Sequence, residues 1–135
     1  MSNITRTDAQ VAEVFPEKAV MFSAKAAATI AKGDLLYFTS AGLVNIADGD
    51  GSGTTAPCGI ALNAAGTGQA VNVLKEGHVY GWTLTSVAYY APLYMSDTAG
   101  ALGDGAGSTS FIVGRVVPMS DASLTKVLYV DIKWG

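Results

Sequence analysis

The sequence predicts an all-β fold: a small barrel or sandwich with internally duplicated strand–loop–strand units, preceded by an N-terminal arm. Three observations carry that expectation. From Ile30 onward, β-branched and aromatic residues come in short runs separated by glycine-rich turns, the pattern of pleated strands with tight connections. The runs of the first half return in the second half, in the same order, at a spacing of 54 to 58 residues. Residues 1–29 differ from the rest, being Ala-rich with few charges that alternate in sign.

The arm, residues 1–29, reads locally as broken helix. Thr7 or Asp8 supplies a cap for a short helix through Val14 or Phe15. Pro16 interrupts it, because the residue before proline avoids helical geometry. Glu17–Ala28 then resumes, with Ala the best intrinsic helix former. Val11, Phe15, Val20, Met21 and Phe22 make no single apolar stripe. The segment is therefore expected to be partly extended and to need a surface that fixes it, with an ordinary strand at the sheet edge as the open alternative. Val11, Val14, Phe15, Val20, Met21 and Phe22 are its candidate contact residues.

The β domain, 30–135, is read strand by strand. Asp34–Thr39, the turn Ser40-Ala41-Gly42, and Leu43–Ile46 give a hairpin signal. Asp48–Thr55 is a glycine-rich loop. Cys58–Leu62 is a short apolar strand, Asn63–Gly68 a turn, and Gln69–Lys75 an alternating strand with Val71 and Val73 on one face. Gly77–Trp82 continues as a strand broken by glycines. The second half repeats the plan. Leu93-Tyr94-Met95-Ser96 matches Leu36-Tyr37-Phe38-Thr39, Ala99-Gly100 matches Ala41-Gly42, and Gly103–Gly107 matches Gly49–Gly53. Gly114-Arg115-Val116 matches Gly59-Ile60-Ala61, and Val127–Val130 matches Val71–Leu74. Two copies are too few for a solenoid, so the unit is expected to be used twice in one barrel or sandwich.

Composition limits the function. Charged residues make up 14% of the 135, against about 25% in an average soluble domain, so part of the surface is expected to be covered in use. The net charge is −3 and the eight Lys and Arg are scattered, with Arg6 and Arg115 the only arginines. Nucleic-acid binding needs a basic stripe and is not expected. No apolar run approaches the ~18 residues of a membrane span. The start, MSNITRTDAQ, lacks the basic and apolar regions of a signal peptide, so synthesis in a cytoplasm is expected. Cys58 is the only cysteine, which excludes an internal disulfide.

The search for chemistry finds no convergent set, and no enzyme, cofactor or metal is expected. His78 is the single histidine, and Cys58 begins an apolar strand, where cysteine is commonly buried and inert. Asp48-Gly49-Asp50-Gly51 opens like a calcium loop, but the twelfth position, where an EF-hand needs Glu, is Gly59. Gly51–Ala56 matches G-x-G-x-x-A only formally, since Pro57 and a β segment follow it. Asn3-Ile4-Thr5 is a formal glycosylation acceptor with no secretion signal to support it. Most aspartates lie in turns, where Asp fits for backbone reasons. Asp131, beside Lys133, reads as an edge charge that discourages wrong pairing. The aromatics of the 80–94 segment, Tyr80, Trp82, Tyr89 and Tyr90, are candidates for core or for an oligomer interface.

The stretches KGDLLYFTSAGLVNIADG, CGIALNAAGTGQAVNVLKEGHV, APLYMSDTAGALG, IVGRVVP and KVLYVDI together resemble the capsid cement or decoration proteins of tailed bacteriophages. The likeness covers residues 30–133 and rests on glycine and valine spacings. It implies a non-enzymatic virion protein made in the bacterial cytoplasm and seated on the outer capsid surface. Its partner would be the major capsid protein, bridged between neighbouring subunits, and its own state a homo-oligomer, commonly a trimer. It also implies that residues 1–29 face the capsid. The alternative is a head-fibre or tail-associated binding module, with the 80–94 aromatics stacking on carbohydrate.

Overall fold

A computed structural model describes residues 2–51 and 56–133. It is all-β, as the sequence predicts. The strands are β1 (Ala12–Val14), β2 (Val20–Lys25), β3 (Leu35–Phe38), β4 (Val44–Ile46), β5 (Pro57–Ala61), β6 (Ala70–Tyr80), β7 (Pro92–Met95), β8 (Leu102–Gly103), β9 (Ile112–Pro118) and β10 (Lys126–Asp131). They form one curled antiparallel sheet in the order β4-β3-β5-β6-β10-β9-β7-β8, with β1 and β2 also paired to β6.

The expected duplication is visible in the pairing. The sheet order reads the same from either end once β3, β4, β5 and β6 are exchanged for β7, β8, β9 and β10. Leu36 pairs with Gly59 and Leu93 with Gly114, and the ladder slips immediately afterwards in both, between Leu36 and Tyr37 and between Leu93 and Tyr94. A Cβ on Gly59 would lie 2.7 Å from the Leu74 carbonyl oxygen, and one on Gly114 2.1 Å from that of Tyr129. The same close backbone approach thus recurs in each half, and only glycine permits it. Ile60 pairs with Leu74 and Arg115 with Tyr129, so Tyr129 stands in the place of Leu74. The sequence alignment of Val127 with Val71 is one residue out, and in a strand one residue exchanges the two faces.

Strand β6 belongs to both units. Its first half closes the first unit against β2 (Met21 opposite Leu74, Phe22 opposite Val73), and its second half opens the second unit against β10 (His78 opposite Tyr129, Val79 opposite Leu128). It runs through Gly77 without a break, where the glycines suggested an interruption. The first unit curls until Ala26 meets Val44, with the Ala27 N–H donating to the Val44 carbonyl at 2.8 Å. It encloses a core of Leu36, Val44, Cys58, Ala61, Val71 and Val73. The second unit is closed differently. Residues 3–7 insert between it and its own first strand, with Ile4 donating to Leu102 and Thr7 to Gly81, both at 2.8 Å.

Residues 1–29 are therefore not a detached arm. Two short 3₁₀ turns, Asp8–Gln10 and Pro16–Lys18, stand where helices were expected, and the chain between and after them is β1 and β2. The helix propensity of Ala is a local preference of a few tenths of a kcal/mol. It yields to the backbone hydrogen bonds that the edges of β6 offer to β1 and β2. Ile4 and Val11 are buried in the core of the second unit. The expected boundary at residue 30 thus falls inside the first unit.

Asp131 is not an edge charge. It pairs directly with Glu76 where the two units meet, and Lys133 bridges the carboxylates at 3.0 and 2.9 Å. Those contacts hold the lysine charge above its ordinary pKa, Glu76 contributing most.

Candidate functional site

The expected contact residues divide by strand geometry. Val11 is fully buried, close against Gly33 and Gly81, and is a core residue rather than a contact. Val14 is half-buried in β1 opposite His78. Phe15 is exposed and turns its ring edge-on to His78 at 5.2 Å, with a left-handed backbone of φ 57°. Val20 and Met21 stand 46% and 42% exposed on β2. Phe22 turns inward against the first core and lies 5.4 Å from the ring of Phe38. The exposed members form an apolar band along β2 and its approach. A groove of about 410 Å³, lined by Glu13, Met21, Phe22, Leu62 and Asn72, adjoins it.

His78 sits between two rings, with Phe15 on one side and Tyr129 at 4.9 Å on the other. Its Nδ1 is buried and has no hydrogen-bond partner. Desolvation, with a smaller contribution from the Lys18 charge, lowers its pKa and favours the neutral ring. Cys58 lies in the first core, and burial pushes its thiol up to about 12, the opposite of an activated nucleophile.

The 80–94 aromatics also divide. Trp82 is buried in the core of the second unit. Tyr80 and Tyr89 are exposed, and the Tyr89 hydroxyl donates to the Leu124 carbonyl at 2.5 Å. Tyr90 is 69% exposed. The Arg115 guanidinium lies 4.4 Å over its ring and donates to its carbonyl at 2.9 Å. Its backbone is left-handed, φ 64°, a conformation uncommon for a bulky residue. Tyr90, Ile112, Arg115, Tyr129 and Asp131 line a groove of about 240 Å³.

One polar cluster escaped the sequence reading. Arg6 bonds Asp34 at 3.0 Å and Asp8 at 2.8 Å, and donates to the Gly100 carbonyl at 3.3 Å. Asp34 is buried and also accepts the Ala31 N–H at 2.9 Å. The cluster ties the N-terminal segment to both units. Its only sequence signal was that Arg6 is one of two arginines. At the loop that resembled a calcium site, Asp48 hydrogen-bonds and repels Asp50, raising the pKa of the Asp50 carboxyl. Residues 52–55 of that loop lie outside the described residues. Among the described residues no three His, Cys, Asp or Glu side chains gather as metal ligands, and no helix is long and apolar enough to cross a membrane.

No family model, no curated protein and no solved structure matches this chain.

Proposed function

We propose that this is a structural virion protein that decorates a phage capsid and reinforces it by bridging neighbouring coat subunits. The observation that carries the reading is the exposed apolar band of Phe15, just after β1, and of Val20 and Met21 on β2, a strand fixed in the sheet. A band of this kind marks a surface that is covered in use. The sparse charge of the chain and its resemblance to cement proteins support the same reading. Each copy would add modest apolar contacts, and repetition over a lattice would make them collectively strong.

The test is co-sedimentation of the purified chain with mature capsid shells, followed by electron microscopy of decorated particles. Met21→Asp and Val20→Asp should each weaken shell binding about tenfold while leaving the melting temperature nearly unchanged. Wild-type protein that stays in the supernatant would remove the reading.

A second reading, a glycan-binding module on the same kind of particle, is favoured by Tyr90. Its exposed ring stands beside Arg115 and Asp131 in a groove, an arrangement suited to stacking and hydrogen-bonding a sugar. Titration with a glycan panel tests it, and loss of any binding signal in Tyr90→Asn would locate the site.

A further inference from the structure

The two arginines of the chain differ nitrogen by nitrogen. Arg6 uses all three. Its Nε donates to Asp8 at 2.8 Å, its Nη2 to Asp34 at 3.0 Å, and its Nη1 to the carbonyl of Gly100, in the turn between β7 and β8, at 3.3 Å. Arg115 uses one. Its Nη1 donates to the Tyr90 carbonyl at 2.9 Å. Among the described residues neither its Nε nor its Nη2 has an acceptor, and no carboxylate pairs with it. The two nitrogens that hold carboxylates in Arg6 are thus the two left open in Arg115. They share one edge of the planar guanidinium, and such an edge receives a carboxylate through two parallel hydrogen bonds.

The residues that line the groove with Arg115 fit a sugar. Tyr90 has the guanidinium over one face of its ring and is 69% exposed, which leaves the other face open. The negative face of an aromatic ring attracts C–H groups, which a sugar ring presents on its flat side. Asp131 supplies an acceptor for a sugar hydroxyl. Lys133 holds its Oδ1 at 3.0 Å and offsets its charge, while its Oδ2 has no donor among the described residues. A peptide with several acidic side chains fits less well, because it would bring them to Asp131 and to a chain of net charge −3.

The fold does not require these residues. Arg115 and Tyr129 stand where Ile60 and Leu74 stand on the corresponding wall of the first unit, and there both side chains are fully buried, in one cluster with Leu93, Met95 and Leu102 of the second unit. The wall that carries Arg115 has no such cover, and Arg115 and Tyr129 are half-buried. Two residues before Leu35 the first unit has a left-handed glycine, Gly33, φ 93°. Two residues before Pro92 the second unit has Tyr90, φ 64°. Backbone strain of this kind is concentrated at sites that grip a ligand.

We propose, resting on the reading of this groove as a glycan site, that its ligand is an acidic sugar. A uronic or sialic acid residue would place its carboxylate on Nε and Nη2 of Arg115, stack its ring on Tyr90 and donate a hydroxyl to Asp131.

The experiment titrates the purified full chain, by calorimetry, with matched acidic and neutral sugars: sialyllactose against lactose, and glucuronate against its methyl ester. The acidic member of each pair should bind about tenfold tighter, and the difference should shrink as salt is raised. Arg115→Gln should bring the two members level. Arg115→Lys, which keeps the charge and loses the planar fork, should recover only part of the preference. Circular dichroism checks that each variant is folded, and the ester pair probes the same contact in the wild type without a substitution. Equal binding of acidic and neutral sugars would overturn the proposal and leave the glycan reading standing, whereas silence towards every sugar would remove both. An acid preference that survives Arg115→Gln would also overturn it. So would a tetraglutamate peptide that binds as tightly as sialyllactose and is lost in Arg115→Gln.

Discussion

At the scale of single residues, the glycines give a graded test of the backbone geometry. Gly114→Ala places a methyl 2.1 Å from the Tyr129 carbonyl oxygen, in the middle of a ladder. It should cost about 3 kcal/mol, the upper end of what overpacking usually costs. Gly59→Ala should behave alike, since its counterpart contact is 2.7 Å. Gly42→Ala meets nothing and should cost only the left-handed backbone preference, about 1 kcal/mol. Urea denaturation of the three variants would rank them. His78 supplies a pH dependence. Burial lowers its folded pKa below the unfolded value, so between the two values the unfolded chain binds more protons. Stability from the neutral ring is complete above about pH 6.5 and is lost as pH falls through that value toward the lowered folded pKa. His78→Phe should flatten this part of the stability profile, as followed by melting between pH 7 and pH 5.

At the scale of elements, the N-terminal segment changes the expected effect of truncation. As an arm, residues 1–20 would be dispensable for folding. Residues 3–7 instead fill the seam of the second unit, and Ile4 and Val11 lie in its core. Each such side chain stabilises by about 1.5–3 kcal/mol when buried. Deleting residues 2–14 should therefore lower the melting temperature sharply and expose apolar surface to a dye such as ANS. The milder Arg6→Ala, which strands the buried Asp34 carboxylate, should cost about 3 kcal/mol. The contrast between what the sequence showed and what it hid is physical. Gly42, Gly59, Gly100 and Gly114 are forced by backbone geometry within each unit, so the duplication was visible as spacing. The partner of β1 and β2 is a strand some sixty residues away, and nothing local in 1–29 announces it. Ala-rich composition there reported a preference that pairing overrode. The one-residue slip in β10 has a similar origin, because its alternation of apolar residues fits either face until the partner strand is known.

At the scale of the whole molecule, the two units should unfold together. They share β6, and the Arg6 cluster and the Gly100 turn cross between them. Calorimetry should show one transition whose van't Hoff and calorimetric enthalpies agree; two resolved transitions would mean that the shared strand does not couple them. Surface function was the least legible level. Whether Val20, Met21 and Tyr90 point outward depends on the curl of the sheet and on which wall the other unit covers. The low charge content gave only the expectation that some surface is covered in use.

The placement of β6 has a mechanical consequence. Its second half is flanked by β1 on one edge and β10 on the other, both antiparallel to it and hence parallel to each other. The chain ends leave this three-stranded ribbon in opposite directions along the strand axis. A force that separates the ends therefore loads the hydrogen bonds in shear, all at once, instead of opening them one by one like a zipper. A protein tied down through its two ends would resist stretching until the whole ribbon gave way.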